Sequence, residues 1–174
     1  MCGARGGPAL TDAPSKAAIF QARLAFGLIV GLIVLGLFSY GASEEDLNRV
    51  WSQILARPGG PMTFRFILQP AMAAIAATRD GVHDARMGRS PYFWTILRSG
   101  EERGGRLWEG IVATARILIL GVVIDTVYQW VVLHTFYPAE AAFIALLLAF
   151  VPYVLLRGPI ARIARHWVAR PASN

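Results

Sequence analysis

Asp125 is a carboxylate near the middle of a predominantly apolar run, residues 111–135. On a helix it shares a face with Gly121 four residues before it and with Tyr128 and Gln129 three and four residues after it. A carboxylate so placed can carry a proton, pair with a cation or anchor a hydrogen-bond network. If the run lies in lipid, keeping the charge there costs roughly 2.5 to 3.5 kcal/mol, so the group must find protein, water or a proton. A second apolar run supplies matching groups, because Arg65 and Gln69 are one helical turn apart. The two runs enter from the same side, which puts Gln69 and Gln129 at similar depth. The spacing therefore predicts one intramembrane polar cluster of Arg65, Gln69, Asp125, Tyr128 and Gln129, with Arg65 reaching down to Asp125. Such a cluster can be helix-to-helix glue, a polar path for a proton or ion, or a contact to another subunit; spacing alone leaves all three open.

Other reactive residue types are sparse. Asp80, His83 and Asp84 share one helical face but have no Cys or second His beside them, so they read as a solvated helix end stopped by Gly88 rather than as metal ligands. His134 and His166 stand alone. No Ser/His/Asp arrangement, phosphate-binding Gly loop or CxxC pair occurs, and the single Cys2 allows no internal disulfide. The sequence assigns no catalytic residue, no metal ligand and no cofactor, and the expectation is that the chain is not an enzyme.

The elements that must hold the cluster are long apolar helices. In 174 residues, 55% are hydrophobic, more than one soluble core of this size can bury. Four spans are predicted, at residues 24–40, 63–78, 111–135 and 141–156. At 1.5 Å per residue the third covers about 37 Å and the others about 24–25 Å, so the short ones need extension, the second towards Asp84 and the fourth into Arg157. The fold class expected is all-α: one polytopic membrane helical bundle, 1–174, with a flexible tail over 1–22. A cleaved signal peptide is an alternative for the first span; its length and its glycines argue against that. Gly27 with Gly31, Gly121, and Ala73, Ala76 and Ala77 are the small residues that let helices approach closely.

The formal charge of +6 does not point to nucleic acid, because the sixteen Arg and one Lys flank apolar runs instead of clustering on a polar domain. With four spans, the N-terminal tail, the loop over 79–110 and the C-terminal tail share one side and hold thirteen of the seventeen basic residues. The positive-inside rule then places both termini in the cytoplasm. Trp51, Trp130, Tyr40 and Tyr137 fall at the outer ends, and Trp94, Trp108, Trp167 and Tyr92 at the inner ones, as interfacial belts do. Arg116 lies within a span, half a turn away from Asp125, and is expected to snorkel to the interface.

The connections are patterned too. Ser43 before Glu44, Glu45 and Asp46 reads as a capped helix start, and apolar residues follow at helical spacing, so an interfacial helix is expected over 44–57. Two more are expected over 91–98 and, after a break at Gly158-Pro159, over 159–168.

The motifs Phe-Arg-Phe-Ile-Leu-Gln-Pro (64–70), Arg-Asp-Gly (79–81), Asp-Ala-Arg (84–86) and Gly-Arg-Ser-Pro-Tyr (88–92), with the segments 125–129 and 155–159, resemble those of a group of small, uncharacterised bacterial inner-membrane proteins. The resemblance covers about half of the chain; it implies a four-helix membrane protein and carries no activity. The function expected is that of an accessory or structural subunit in contact with the lipid bilayer and with a larger membrane complex or further copies of itself. The rival expectation is a small oligomeric transporter or channel centred on Asp125.

Overall fold

A computed structural model describes residues 14–40, 48, 51–52, 63–89, 92, 95–96 and 100–168, and these form helices and short connections without a strand among them. Helix α1 is Lys16–Tyr40. It starts eight residues before the expected span because Ser15 caps it, its hydroxyl accepting the Ala18 N–H at 3.2 Å. The tail expected over 1–22 is therefore helical from Lys16 onward. Helix α2, Arg65–Arg86, ends in a Schellman turn: Gly88 takes φ +65°, its N–H bonds the Ala85 carbonyl, and the Arg89 N–H bonds the Asp84 carbonyl. Helix α3, Gly100–Tyr128, continues into a π-helical stretch, Gln129–Leu133, and stops at His134 in the left-handed region.

Pro138 opens α4, Pro138–Ala145, at the position where a missing N–H costs nothing. A π-helical stretch, Leu146–Phe150, leads into α5, Val151–Val168, so α4 and α5 form one rod. The wide turn falls directly before Pro152, whose absent N–H could not have continued the regular ladder. The break expected at Gly158-Pro159 does not occur, since α5 runs through Pro159. Packing holds the rod together there. Gly81 of α2 lies so close that an added Cβ would stand 3.0 Å from the Arg157 carbonyl and 3.2 Å from the Ala161 nitrogen.

Among the described residues, three helices are long and apolar enough to cross a membrane: Lys16–Ser39, Arg103–Leu133 and Pro138–Trp167. Helix α2 has the length but carries Arg65, Arg79, Asp80, Asp84 and Arg86, too many charges for a helix bathed in lipid, and the polar Gln69 besides. It lies against α5 in the most extensive helix pairing of the molecule, while α1 packs on α3 and α4. The core between them is rich in alanine, with Ala22 and Ala25 of α1, Ala73 and Ala77 of α2, Ala115 of α3, then Ala142, Ala145 and Ala149, beside larger residues such as Ile29, Ile117, Leu118 and Val122. Alanines at these seams let backbones come close.

Of the three glycines expected to pack, one makes a close approach among the described residues and two do not. Gly27 and Gly31 meet nothing within 4 Å among the described residues, whereas an added Cβ on Gly36 would collide with Ala139. Gly121 is a close-approach position, a Cβ there standing 2.9 Å from Gln69 Nε2 and 3.2 Å from Ala145 Cβ. Of the interfacial helices, 44–57 and 91–98 lie outside the described residues except at Asn48, Trp51, Ser52, Tyr92, Thr95 and Ile96, all helical. The Trp51 ring meets Phe143 of α4 edge-on at 6.2 Å.

Candidate functional site: two buried ion-pair clusters

One stripe of α2 explains both clusters. Arg65, Gln69, Ala73, Ala77, Gly81 and Asp84 recur at four- and three-residue steps and are all buried. The stripe is polar at both ends and small in the middle. Its N-terminal end meets α3, and its C-terminal end meets α5 and the start of α3.

At the first end the structure brings Arg65, Gln69, Asp125, Tyr128 and Gln129 together, all buried. Arg65 Nη1 stands 2.6 Å from Asp125 Oδ1. The contact is an ion pair by distance rather than an aligned hydrogen bond. The other Asp125 oxygen accepts from Gln129 Nε2 at 2.7 Å. Gln129 Oε1 in turn accepts the Tyr137 N–H at 2.6 Å, so one side chain ties α3 to the turn before α4. The guanidinium lies 5.0 Å from the centre of the Tyr128 ring and 5.3 Å from that of Phe66, a cation held between two aromatic faces. Gln69 is pressed against Gly121, with neither its amide nitrogen nor its oxygen bonded. The charges cancel, Arg65 against Asp125, which is the condition for keeping either away from water.

The second cluster is larger, and the sequence reading missed it. Asp84, expected at a solvated helix end, is fully buried. Arg157 of α5 grips it with two bonds, Nε to Oδ2 at 2.8 Å and Nη2 to Oδ1 at 3.1 Å. Arg157 also donates to the Tyr153 hydroxyl at 2.7 Å, and that hydroxyl donates to Asp80. Glu109 of α3 accepts from Arg157 at 3.3 Å and from Arg106 at 3.2 Å, and Arg89 approaches it at 3.5 Å. Three carboxylates (Asp80, Asp84, Glu109) thus face three guanidiniums (Arg89, Arg106, Arg157). Tyr92 closes the cluster from the chain between α2 and α3. Its ring lies 4.2 Å from the Arg157 guanidinium, and its hydroxyl donates to the Arg106 carbonyl at 2.6 Å. Gly110 makes room for it, since a Cβ there would collide with the Tyr92 hydroxyl. Burial pushes the Tyr92 phenol up to about 12, against the opposing pull of Arg157.

The signal that could have found this cluster was the stripe itself, since Arg65 and Gln69 extended by helical steps arrive at Asp84. Arg157 likewise ends a four-residue series in the other rod, Ala145, Ala149, Tyr153, Arg157. Of the remaining sequence candidates, Arg116 is exposed and donates to Gln21 of α1 at 2.9 Å. Among the described residues no three His, Cys, Asp or Glu side chains converge as metal ligands.

The two clusters do not join. Along α2, Gln69 and Asp80 are eleven residues apart, about 16 Å of helix, and the buried positions between them are Ala73 and Ala77. On α3 the buried Thr114 turns its hydroxyl to the Gly110 carbonyl of its own helix. Each cluster neutralises its own charges and locks two or three helices together.

Compared with known proteins, the chain matches no family model, no curated protein and no solved structure.

Proposed function

We propose that this is a small integral membrane protein with four spans and both termini in the bacterial cytoplasm, acting as a structural or accessory subunit beside a larger membrane complex. In this reading α2 crosses as the shielded member of the bundle, its buried Arg65 and Asp84 neutralised by α3 and α5 instead of facing lipid. The observation that carries the accessory role is the outward face of α1. Only 17% of its apolar window is buried, against 44% for each of the other two apolar helices. That open face presents Leu24, Gly27, Gly31, Leu35 and Phe38 at steps of three and four residues. Two glycines one turn apart, flanked by large apolar side chains and meeting nothing within 4 Å, suit the close approach of another transmembrane helix.

The alternative, a transporter or channel through Asp125, is supported by the unbonded Gln69 amide beside the Arg65 pair. The alanine stretch between the two clusters on α2 argues against it, because a conducted proton or ion needs continuous polar partners. Purification of a tagged chromosomal copy in mild detergent tests the proposal. A membrane protein at fixed stoichiometry is expected, and Gly27→Leu with Gly31→Leu should release it while leaving the bundle folded. Recovery of this chain alone, unaffected by those substitutions, would overturn it.

A further inference from the structure

At the Arg-rich ends of α2 and α5 lies a trough of about 400 Å³, lined by Val82 and Arg86 on one side and by Ile160, Ile163, Ala164 and Trp167 on the other. That volume is in the range of about 300 to 1,000 Å³ typical of ligand sites. The ion-pair clusters do not use it, since Asp84 and Arg157 face the opposite way, into the bundle. Ile163 and Trp167 are more than half exposed, so the trough leaves apolar surface open at a helix end that is otherwise charged.

Arg86 is the one charge in the lining. Its neighbour Arg89 is engaged by Glu109, and Arg165 donates to the Arg89 carbonyl, but Arg86 is exposed and has no ion pair or hydrogen bond among the described residues. The cluster beside it balances three charges with three, so the surplus behind the formal +6 lies partly on outward arginines such as Arg79, Arg86 and Arg162. An exposed tryptophan on the last turn of α5 marks the level of a membrane interface. A free cation at the rim and an apolar channel beneath it ask for a ligand with an anionic head and a hydrocarbon body. A soluble anion answers only the first requirement, and an apolar partner helix only the second.

We infer that this trough binds one anionic phospholipid, with its phosphate on Arg86 and an acyl chain along Ile160, Ile163 and Trp167. The inference requires α5 to lie in a membrane but does not depend on the partner proposed for α1.

The test is native mass spectrometry of the full chain in mixed micelles containing either phosphatidylglycerol or phosphatidylcholine. One phosphatidylglycerol per chain should be retained in preference to phosphatidylcholine. Arg86→Gln should weaken that retention about fivefold, the effect of one basic residue at a lipid surface. Ala164→Trp, which fills the trough and keeps Arg86, should abolish it; Ile163→Asn serves the same purpose if that variant loses its helical circular dichroism. Arg162→Gln, exposed on α5 but outside the trough, should change nothing, and excess glycerophosphate should not displace the lipid. Equal retention of both lipids, or no effect of Arg86→Gln, would overturn the site. So would a loss caused by Arg86→Gln but not by filling the trough, which would mean a phosphate site without a lipid chain. Crosslinking of Ala164→Cys to another protein instead of to lipid would likewise overturn it.

Discussion

Asp84 and Arg157 meet through two hydrogen bonds, of 2.8 and 3.1 Å, across 73 residues of chain, and both are buried. The pair fastens the C-terminal end of α2 to the middle of α5, where Gly81 already brings the backbones into contact. Removing Arg157 leaves the buried Asp84 with only the longer approaches of Arg106 at 3.5 Å and Arg89 at 3.9 Å, and removing Asp84 leaves the buried Arg157 with Glu109 at 3.3 Å. Arg157→Leu is expected to cost about 3 to 5 kcal/mol in thermal or denaturant unfolding in detergent, and Asp84→Leu a similar amount, with the double substitution costing less than the two combined. Arg157→Lys should rescue little, because an ammonium cannot reproduce the two-pronged grip or the contact with the Tyr92 face. A fully additive double mutant would refute the coupling.

The Arg65 and Asp125 pair gives an independent cycle at the other end of α2. With Arg65→Ala already in place, Asp125→Asn should cost little further stability, since the carboxylate has lost its cation. In the wild-type background Asp125→Asn should lower the folded yield and the unfolding midpoint, because Arg65 is then stranded. The loss is expected at about 3 kcal/mol. If activity were lost at full abundance and unchanged stability, the structural reading of this cluster would give way to a functional one.

Glycines on the two faces of α1 should respond in opposite directions. Gly36→Ala places a methyl group against Ala139 and is expected to destabilise by about 1 to 3 kcal/mol. Gly27→Ala meets open space, and in the isolated protein it should be neutral or stabilise by up to about 1 kcal/mol through helix propensity. Thermal unfolding of the two variants side by side distinguishes this from a bundle in which both glycines pack.

Tyr92 should make stability fall at high pH. Its phenol ordinarily titrates near 10 and is pushed to about 12 in the fold, chiefly by burial. The folded state therefore holds the proton more tightly than the unfolded chain does. That contribution is complete below pH 10 and is lost as the pH rises towards 12. Unfolding curves collected through this window should show a decline that Tyr92→Phe reduces, at the cost of the bond to the Arg106 carbonyl at every pH.

What could be read from the chain alone follows from periodicity and cost. Long apolar runs specify helices. Asp125, Gln129, Arg65 and Gln69 stand out because a charge or amide among apolar residues at helical spacing demands a partner. Gly88 marks the end of α2 because only a residue tolerant of positive φ completes that turn. These are local properties, decided within one or two turns of one helix.

Tertiary structure decided which faces meet. Asp84 sits beside Arg79, Asp80 and Arg86, so its surroundings in the chain are those of a solvated helix end. Its burial depends on Arg157, 73 residues away. Gly158-Pro159 carries every local mark of a break, yet α5 continues because Gly81 and the Asp84 pair hold it against α2. Gly27, Gly31 and Gly36 are equivalent in sequence terms; contact with Ala139 selects Gly36 and leaves the other two facing outward. The helical repeat determines which residues share a stripe, and only the packing of one rod against another determines whether that stripe is covered by protein or left open.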